Sequence, residues 1–425
     1  MRFLYILAVY LAAPLVSVVM LWRGLRDRSY WRNFGERFGF GERFAPEGIW
    51  VHAVSVGEVQ ASAALVTTLR ERYPAVPVVV TTLTPTGAER ARALFKDRAQ
   101  VCYIPFDLPG AVRRFFNRVQ PRLAVIFETE LWPNLYRECG RRRVPLVLAS
   151  ARISPRSVRR YRKLGSLFRD ALSSGIVVAA QAEGDADRFR SLGSDPDRTH
   201  ITGNIKFDFS VPVDTAHRGA GLRELYAASR PMWVAGSTHS GEEEIVLEAH
   251  RLVRATHPRA LLALVPRHPP RFDEVAQLMQ RDGIRFVRRT HKAADRAGAA
   301  AATADVLLVD TLGELLDFYA AADVAFVGGS LVPIGGHNLL EPAALARPIL
   351  TGPHNSNSED IARLLVARGA AEIVSDAAEL GARVVELLSD PAERERRGRL
   401  GQDCIDSNRG ALAKLLGLIE PLLRG

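Results

Sequence analysis

The stretch GIWVHAVSVGEVQA at residues 48–61 opens with an apolar run, breaks at a glycine and continues in a helical pattern. A short apolar run without alternation reads as a strand buried on both faces, and a strand that passes through a glycine turn into a helix is half of a βαβ unit. The same grammar repeats outward from it. VPVVVTTLT (76–84), QVCYIPFD (100–107), LAVIFET (123–129), VPLVLASA (144–151) and SGIVVAAQ (174–181) are further runs of this kind, separated by segments with Arg and Glu at helical spacing, in a series that ends near Ile201. A second series begins with PMWVAGST (231–238) and continues through RALLALVPRH (259–268), GIRFVRRT (283–290), ADVLLVD (304–310), DVAFVGGS (323–330), ARPILTG (346–352) and AAEIVS (370–375). The pattern predicts two doubly wound α/β halves joined across residues 204–230.

A chain of 425 residues is long enough for two full cores, since single cores stop growing beyond ~250–300 residues. The composition, 47% hydrophobic and 24% charged, excludes a disordered chain. The three cysteines, Cys102, Cys139 and Cys404, are scattered and odd in number, which argues against a disulfide framework and a structural zinc site. A net charge of +10 favours acidic partners such as anionic lipid, a phosphorylated substrate or nucleic acid. The chain has no zinc finger and no aromatic RNP-like strand, so no nucleic-acid partner is expected.

Residues 3–22, FLYILAVYLAAPLVSVVMLW, carry no charge and are long enough to cross a bilayer as a helix, with Pro14 as an expected kink. A cleaved signal peptide is the competing reading. The run exceeds a usual signal core, and arginines rather than a small-residue cleavage site follow it. Arg2 precedes the run, whereas Arg23, Arg26, Arg28, Arg32 and Arg37 follow it, which places the body of the chain on the cytoplasmic side.

Ligands of open parallel sheets bind beyond the carboxyl ends of the strands. After the first strand, Gly57 permits a sharp turn and Glu58 sits at a helix N-terminus. There it is either a helix cap or a general base whose pKa the helix dipole lowers. In ETELWPN, Glu128 and Glu130 are spaced to share a strand face unless the turn intervenes, and Glu128 is either a structural acid or part of a site. No His or Asp accompanies them, so no metal is expected. In the second half, Arg267 and His268 follow a strand within VPRHPPRF, and Arg267 is either a solvated surface group or a fork for phosphate. The segment GGSLVPIGGHNLLEPAALARP (328–348) holds the pair Gly335 and Gly336, then Asn338 at an expected helix start and Glu341 one turn later. Such a loop is either a tight turn or a phosphate cradle of backbone N–H groups, with Glu341 accepting ribose hydroxyls.

The ordered motifs VHAVSVGE, ETELWPN, GNIKFD, PRHPPRF and GGSLVPIGGHNLLEP resemble the bacterial Kdo (3-deoxy-D-manno-octulosonic acid) transferases, glycosyltransferase family 30, over nearly the whole chain. The resemblance implies an inverting, metal-independent GT-B enzyme: two Rossmann-like domains facing across a cleft, with an N-terminal membrane-anchor helix. It implies transfer of Kdo from CMP-Kdo, the donor substrate, to a lipid A precursor at the anionic inner-membrane surface, without a cofactor. By motif, Glu58 is the base and Glu128 a second active-site carboxylate, while Arg267, His268, Gly335, Gly336, Asn338 and Glu341 bind the nucleotide. The implied division is 1–30 anchor and basic juxtamembrane segment, 31–203 acceptor domain, 204–230 linker, 231–405 CMP-sugar domain, and 406–425 a terminal helix that packs on the first domain by analogy. Two departures from the family pattern, Pro270 and the Ala-rich stretch near Ala299, touch none of these groups. Two other readings stand beside it: a GT-B enzyme using a UDP-sugar, which would share the strand-end glycines and the ribose-binding acid, and a membrane-tethered nucleotide-sugar binding protein without catalysis, which would explain the anchor and the basic charge but not a carboxylate and a phosphate-binding loop on opposite halves.

Overall fold

The computed structural model describes residues 1–162, 165–172, 175–290 and 303–424. The Ala-rich stretch at 294–304 therefore lies almost wholly outside the described residues. The chain forms two compact units, one of Met1–Phe209 with Asn408–Gly425 and one of Ser210–Ser407.

The first unit is built on seven strands: β1 (Ile49–His52), β2 (Val78–Thr82), β3 (Gln100–Tyr103), β4 (Leu123–Phe127), β5 (Leu146–Ala151), β6 (Val177–Ala180) and β7 (Thr199–Ile201). They lie in the order β3-β2-β1-β4-β5-β6-β7, and every registered pair is parallel. The chain winds outward in one direction from β1 and in the other from β4. Neighbouring β1 and β4 thus make the switch point where a crevice opens beyond the strand ends. The strands are apolar on both faces because both are covered: Trp50, Ala124, Ile126 and Leu148 point into one cluster, and Ile49, Val51, Val125 and Val147 into the other.

The second of those clusters is closed by the last helix, Ala411–Arg424, whose Leu415, Leu416, Ile419 and Leu423 pack with Leu65, Val66 and Leu69 of the helix Val56–Arg72. Asp208 fastens its start by accepting from the backbone N–H groups of Gly410 (2.7 Å) and Leu412 (2.6 Å). Asp208→Ala is expected to destabilise this helix by roughly 1–2 kcal/mol, the range for a lost N-cap. Hydrogen exchange should accelerate at residues 411–424, with the second unit unaffected.

The second unit holds β8 (Met232–Thr238), β9 (Leu261–Pro266), β10 (Phe286–Arg288), β11 (Val306–Leu308), β12 (Val324–Val327), β13 (Ile349–Thr351) and β14 (Ala371–Ile373). Their order is β10-β11-β9-β8-β12-β13-β14, again parallel, with the switch point between β8 and β12. The segment expected as a linker, 204–230, is largely ordered. Its turn Ile205–Asp208 belongs to the first unit, and the helix Thr215–Ala227 packs in the second against Leu315–Ala321. Gly219 permits that close approach, since a Cβ there would meet Ala320 at 2.5 Å. Arg218 and Arg223 fasten the helix to Asp317 and Asp323. This helix carries little apolar surface, which is why its sequence reads as a connector.

Candidate active site

In the first unit, β1 ends at the buried His52, and Ser55 caps the following helix by accepting from the Glu58 N–H at 3.4 Å. Glu58 answers reciprocally: its Oε2 accepts from the Val54 N–H at 2.9 Å and its Oε1 from the Ser55 hydroxyl at 3.2 Å. This is a capping-box arrangement. The cap and base readings of Glu58 are compatible, because each carboxylate oxygen has a second lone pair.

The electrostatics of Glu58 correct the sequence expectation. Its pKa is raised, not lowered, to about 7, by burial first and then by the neighbouring charges of Glu128 and Glu130. The capping hydrogen bonds oppose this shift without cancelling it. A helix N-terminus is a surface-scale effect, and the loss of hydration on burial outweighs it.

Glu128 directly follows β4, across the switch point from β1. Its backbone is left-handed (φ +57°) while its N–H still bonds the Ala149 carbonyl at 3.0 Å. A non-glycine residue held there stores on the order of 1–3 kcal/mol of strain. That turn breaks the strand alternation, so the expected sharing of a face by Glu128 and Glu130 does not follow from strand geometry. Glu128 instead accepts from Lys206 Nζ at 3.1 Å, and Glu130 from the Trp132 indole at 2.5 Å. Lys206 lies inside the quoted motif GNIKFD but was not singled out. Its signal was a lysine in a chain whose cations are mostly arginine.

In the second unit, Glu242 is the organising group, and sequence reasoning missed it. It is fully buried and accepts from four backbone N–H groups: His239 (3.0 Å), Gly329 (2.6 Å), Ser330 (2.9 Å) and Leu331 (2.8 Å). These contacts bind the turn after β8 to the turn after β12, on the two sides of the switch point. Its only sequence signal was position, within GSTHSGEEE at a strand end.

Arg267 and His268 are exposed directly after β9. The Arg267 N–H bonds the Thr238 carbonyl at 3.0 Å; its guanidinium has no hydrogen-bond partner among the described residues. Beside it, His239 lies edge-on to His268, with ring centres 5.3 Å apart, and stacks on His337 with Nε2 to Nε2 at 2.8 Å. That contact requires one ring to donate and the other to accept. Burial, then the His239 charge, pushes His337 down to about 3, and burial with Arg267 also lowers His268. Burial and the Arg267 charge thus disfavour protonation of all three imidazoles. Asn338 donates to Glu341 Oε1 at 3.2 Å, and burial raises the Glu341 pKa. The helix runs Leu340–Ala344, beginning two residues beyond Asn338, whose side chain accepts from the Leu340 N–H at 3.1 Å.

Gly335 and Gly336 depart from the expected cradle. Both N–H groups are spent on the Gly329 carbonyl, at 3.1 and 2.7 Å. Their positive φ values, +111° and +73°, and the crowding a Cβ would meet at Asn357 (2.6 Å) and Asn355 (2.5 Å) explain the glycines. They shape the loop; their N–H groups are not free for a phosphate. Among the described residues, no group of three or more His, Cys, Asp or Glu side chains is arranged to hold a metal ion.

Residues 32–209 match the family described as 3-deoxy-D-manno-octulosonic-acid transferase (kdotransferase). The whole chain is 41% identical over 426 residues to 3-deoxy-D-manno-octulosonic acid transferase of Haemophilus influenzae, with 99% of each covered. It belongs to the Kdo transferase family. The Kdo transferase of Bordetella pertussis is 38% identical, again with 99% of each chain covered. A UDP-N-acetylglucosamine 2-epimerase from Neisseria meningitidis shares the fold, with TM-score 0.56 and 11% identity over 88% of this chain and 100% of that one. This Kdo transferase relative is therefore a glycosyltransferase with the GT-B fold.

Proposed function

We propose that the chain transfers Kdo from CMP-Kdo to a lipid A precursor, a tetraacylated glucosamine disaccharide bisphosphate, at the cytoplasmic face of the bacterial inner membrane. The observation that carries the reading is Glu58: a carboxyl with a pKa near 7, beyond β1 at the switch point of the first sheet, in a chain of this family. A base whose pKa sits near the working pH combines availability with proton affinity. Glu58 takes the proton of the acceptor hydroxyl as its oxygen attacks the anomeric carbon, and a single displacement inverts that centre. Lys206 holds Glu128 in place beside the base. Arg267 takes up the charge on the departing CMP phosphate, while Asn338 and Glu341 hold the nucleotide.

Purified protein incubated with CMP-Kdo and the tetraacyl precursor should give lipid heavier by whole Kdo units in the mass spectrum. Unchanged lipid with CMP-Kdo, but transfer from a UDP-sugar, would overturn the donor assignment. Arg267→Ala should weaken CMP binding by roughly 10–100-fold, the equivalent of one charge-assisted hydrogen bond. Glu341→Ala should weaken it by about 10-fold, as for loss of a neutral-scale contact. Titration calorimetry checks both, and unaltered isotherms would put the nucleotide elsewhere.

A further inference from the structure

The apolar helix Arg2–Arg26 does not project from the first unit but lies against it. Near its start, the Tyr5 hydroxyl donates to Asp107 Oδ2 at 2.7 Å. Asp107 is itself buried and accepts from the Asn134 and Leu135 N–H groups, at 3.0 and 2.8 Å, so Tyr5 is tied to the frame of the domain. Midway, Tyr10, Ala13 and Ser17 line a groove whose other wall is Leu108, Ala111 and Arg114. Near its end, the Trp31 indole donates to the Leu21 carbonyl at 3.0 Å, and Gly24 leaves the space that ring fills.

The helix is correspondingly two-sided. Val9, Ala13, Ser17, Met20 and Gly24, spaced by three or four residues, are covered or half-covered. Leu4, Leu11, Leu15, Val18, Trp22 and Leu25, on the opposite side of the turn, are exposed, from 56% at Trp22 to 71% at Leu11. From Tyr5 to Arg26 the helix covers ~32 Å at ~1.5 Å per residue, about the thickness of a hydrocarbon core. If it crossed the bilayer, the Tyr5–Asp107 bond would carry Asp107, Arg113 and Arg114 toward the far leaflet. Charged groups resist that placement.

We propose that this helix lies in the plane of one leaflet, with its exposed apolar stripe in the lipid and its other side docked on the domain, so that both its ends stay on the face where the domain works. The partner is the surface of an anionic phospholipid bilayer. Arg2 at one end and Arg23, Arg26 and Arg28 at the other suit its headgroups. Asp107 follows β3 at the carboxyl edge of the sheet, the edge that also carries Glu58 and Glu128, so the Tyr5 end of the helix is tied to that edge. An in-plane helix therefore brings the acceptor side of the first unit down to the lipid surface. The inference rests on the reading that the protein works at a membrane.

The full-length protein is tested in salt-washed membrane vesicles of both orientations, with a membrane-impermeant maleimide. Background is low because Cys102, Cys139 and Cys404 are buried. Arg2→Cys and, as a marker of the domain, the exposed Asp97→Cys should both remain with the membrane and label from the same face. Labelling of Arg2→Cys from the opposite face, or from neither, overturns the in-plane helix while leaving the membrane reading intact. Release of the protein by the salt wash overturns both.

Discussion

Glu58→Gln is expected to lower kcat by roughly 100-fold or more, the usual scale for a missing general base, with CMP affinity unchanged because the groups proposed to hold the nucleotide belong to the other unit. The pH profile separates the roles. In the unsubstituted protein, kcat/KM should rise through about pH 7 as Glu58 loses its proton; in the variant that ionisation is gone. Stability moves the other way. The folded-state pKa lies above the ordinary 4.5, so the native state binds the proton more tightly than the unfolded chain. The carboxyl's contribution is therefore most favourable below about pH 4.5 and is lost as pH rises to about 7. Glutamine can still accept from Val54 and bond Ser55, so the variant should unfold at no lower temperature than the parent at pH 8. Near-normal turnover with a lowered melting temperature would reduce Glu58 to a helix cap.

The largest loss of stability is expected for Glu242→Ala, about 3 kcal/mol or more, since four buried N–H groups lose a charged acceptor at once. Glu242→Gln keeps one acceptor oxygen and should lose about half as much. Denaturant unfolding of the second unit measures this, and calorimetry with CMP should show weakened binding in step. Glu242 faces backbone on all sides, so its effect on the nucleotide runs through the position of the 328–331 turn, which fixes Gly329 and, through its carbonyl, Gly335 and Gly336. A stable Glu242→Ala protein with ordinary CMP affinity would contradict that chain of support.

The strands were legible because a parallel sheet covered on both faces demands unbroken apolar runs, and each of the quoted runs became a strand. The strand-end rule located the acids and the arginine for the same reason. What escaped were properties set by partners distant in sequence. The Glu58 pKa depends on burial and on Glu128, seventy residues away. The direction of the Gly335 and Gly336 N–H groups depends on a carbonyl at Gly329 that no local pattern reveals. Glu242 looked like one acid in a run of three, yet only the tertiary fold sets four N–H groups around it. The helix Thr215–Ala227 escaped because its packing side is made of Thr215, Gly219, Leu222 and Tyr226, of which only Leu222 announces a core.

The return of the last helix to the first sheet has a consequence for synthesis. The second unit is an insertion: its residues, 210–407, emerge complete before the helix Ala411–Arg424 that closes the first unit's core. During translation, the cluster of Val51, Val125 and Val147 has the cover of Leu65, Val66 and Leu69 but lacks that of Leu415, Leu416 and Ile419 while the later unit folds, against the usual order of domain formation. A nascent chain arrested before residue 408 should therefore hold a protease-resistant second unit and a first unit that recruits chaperones. The final fourteen-residue helix is the step that releases it.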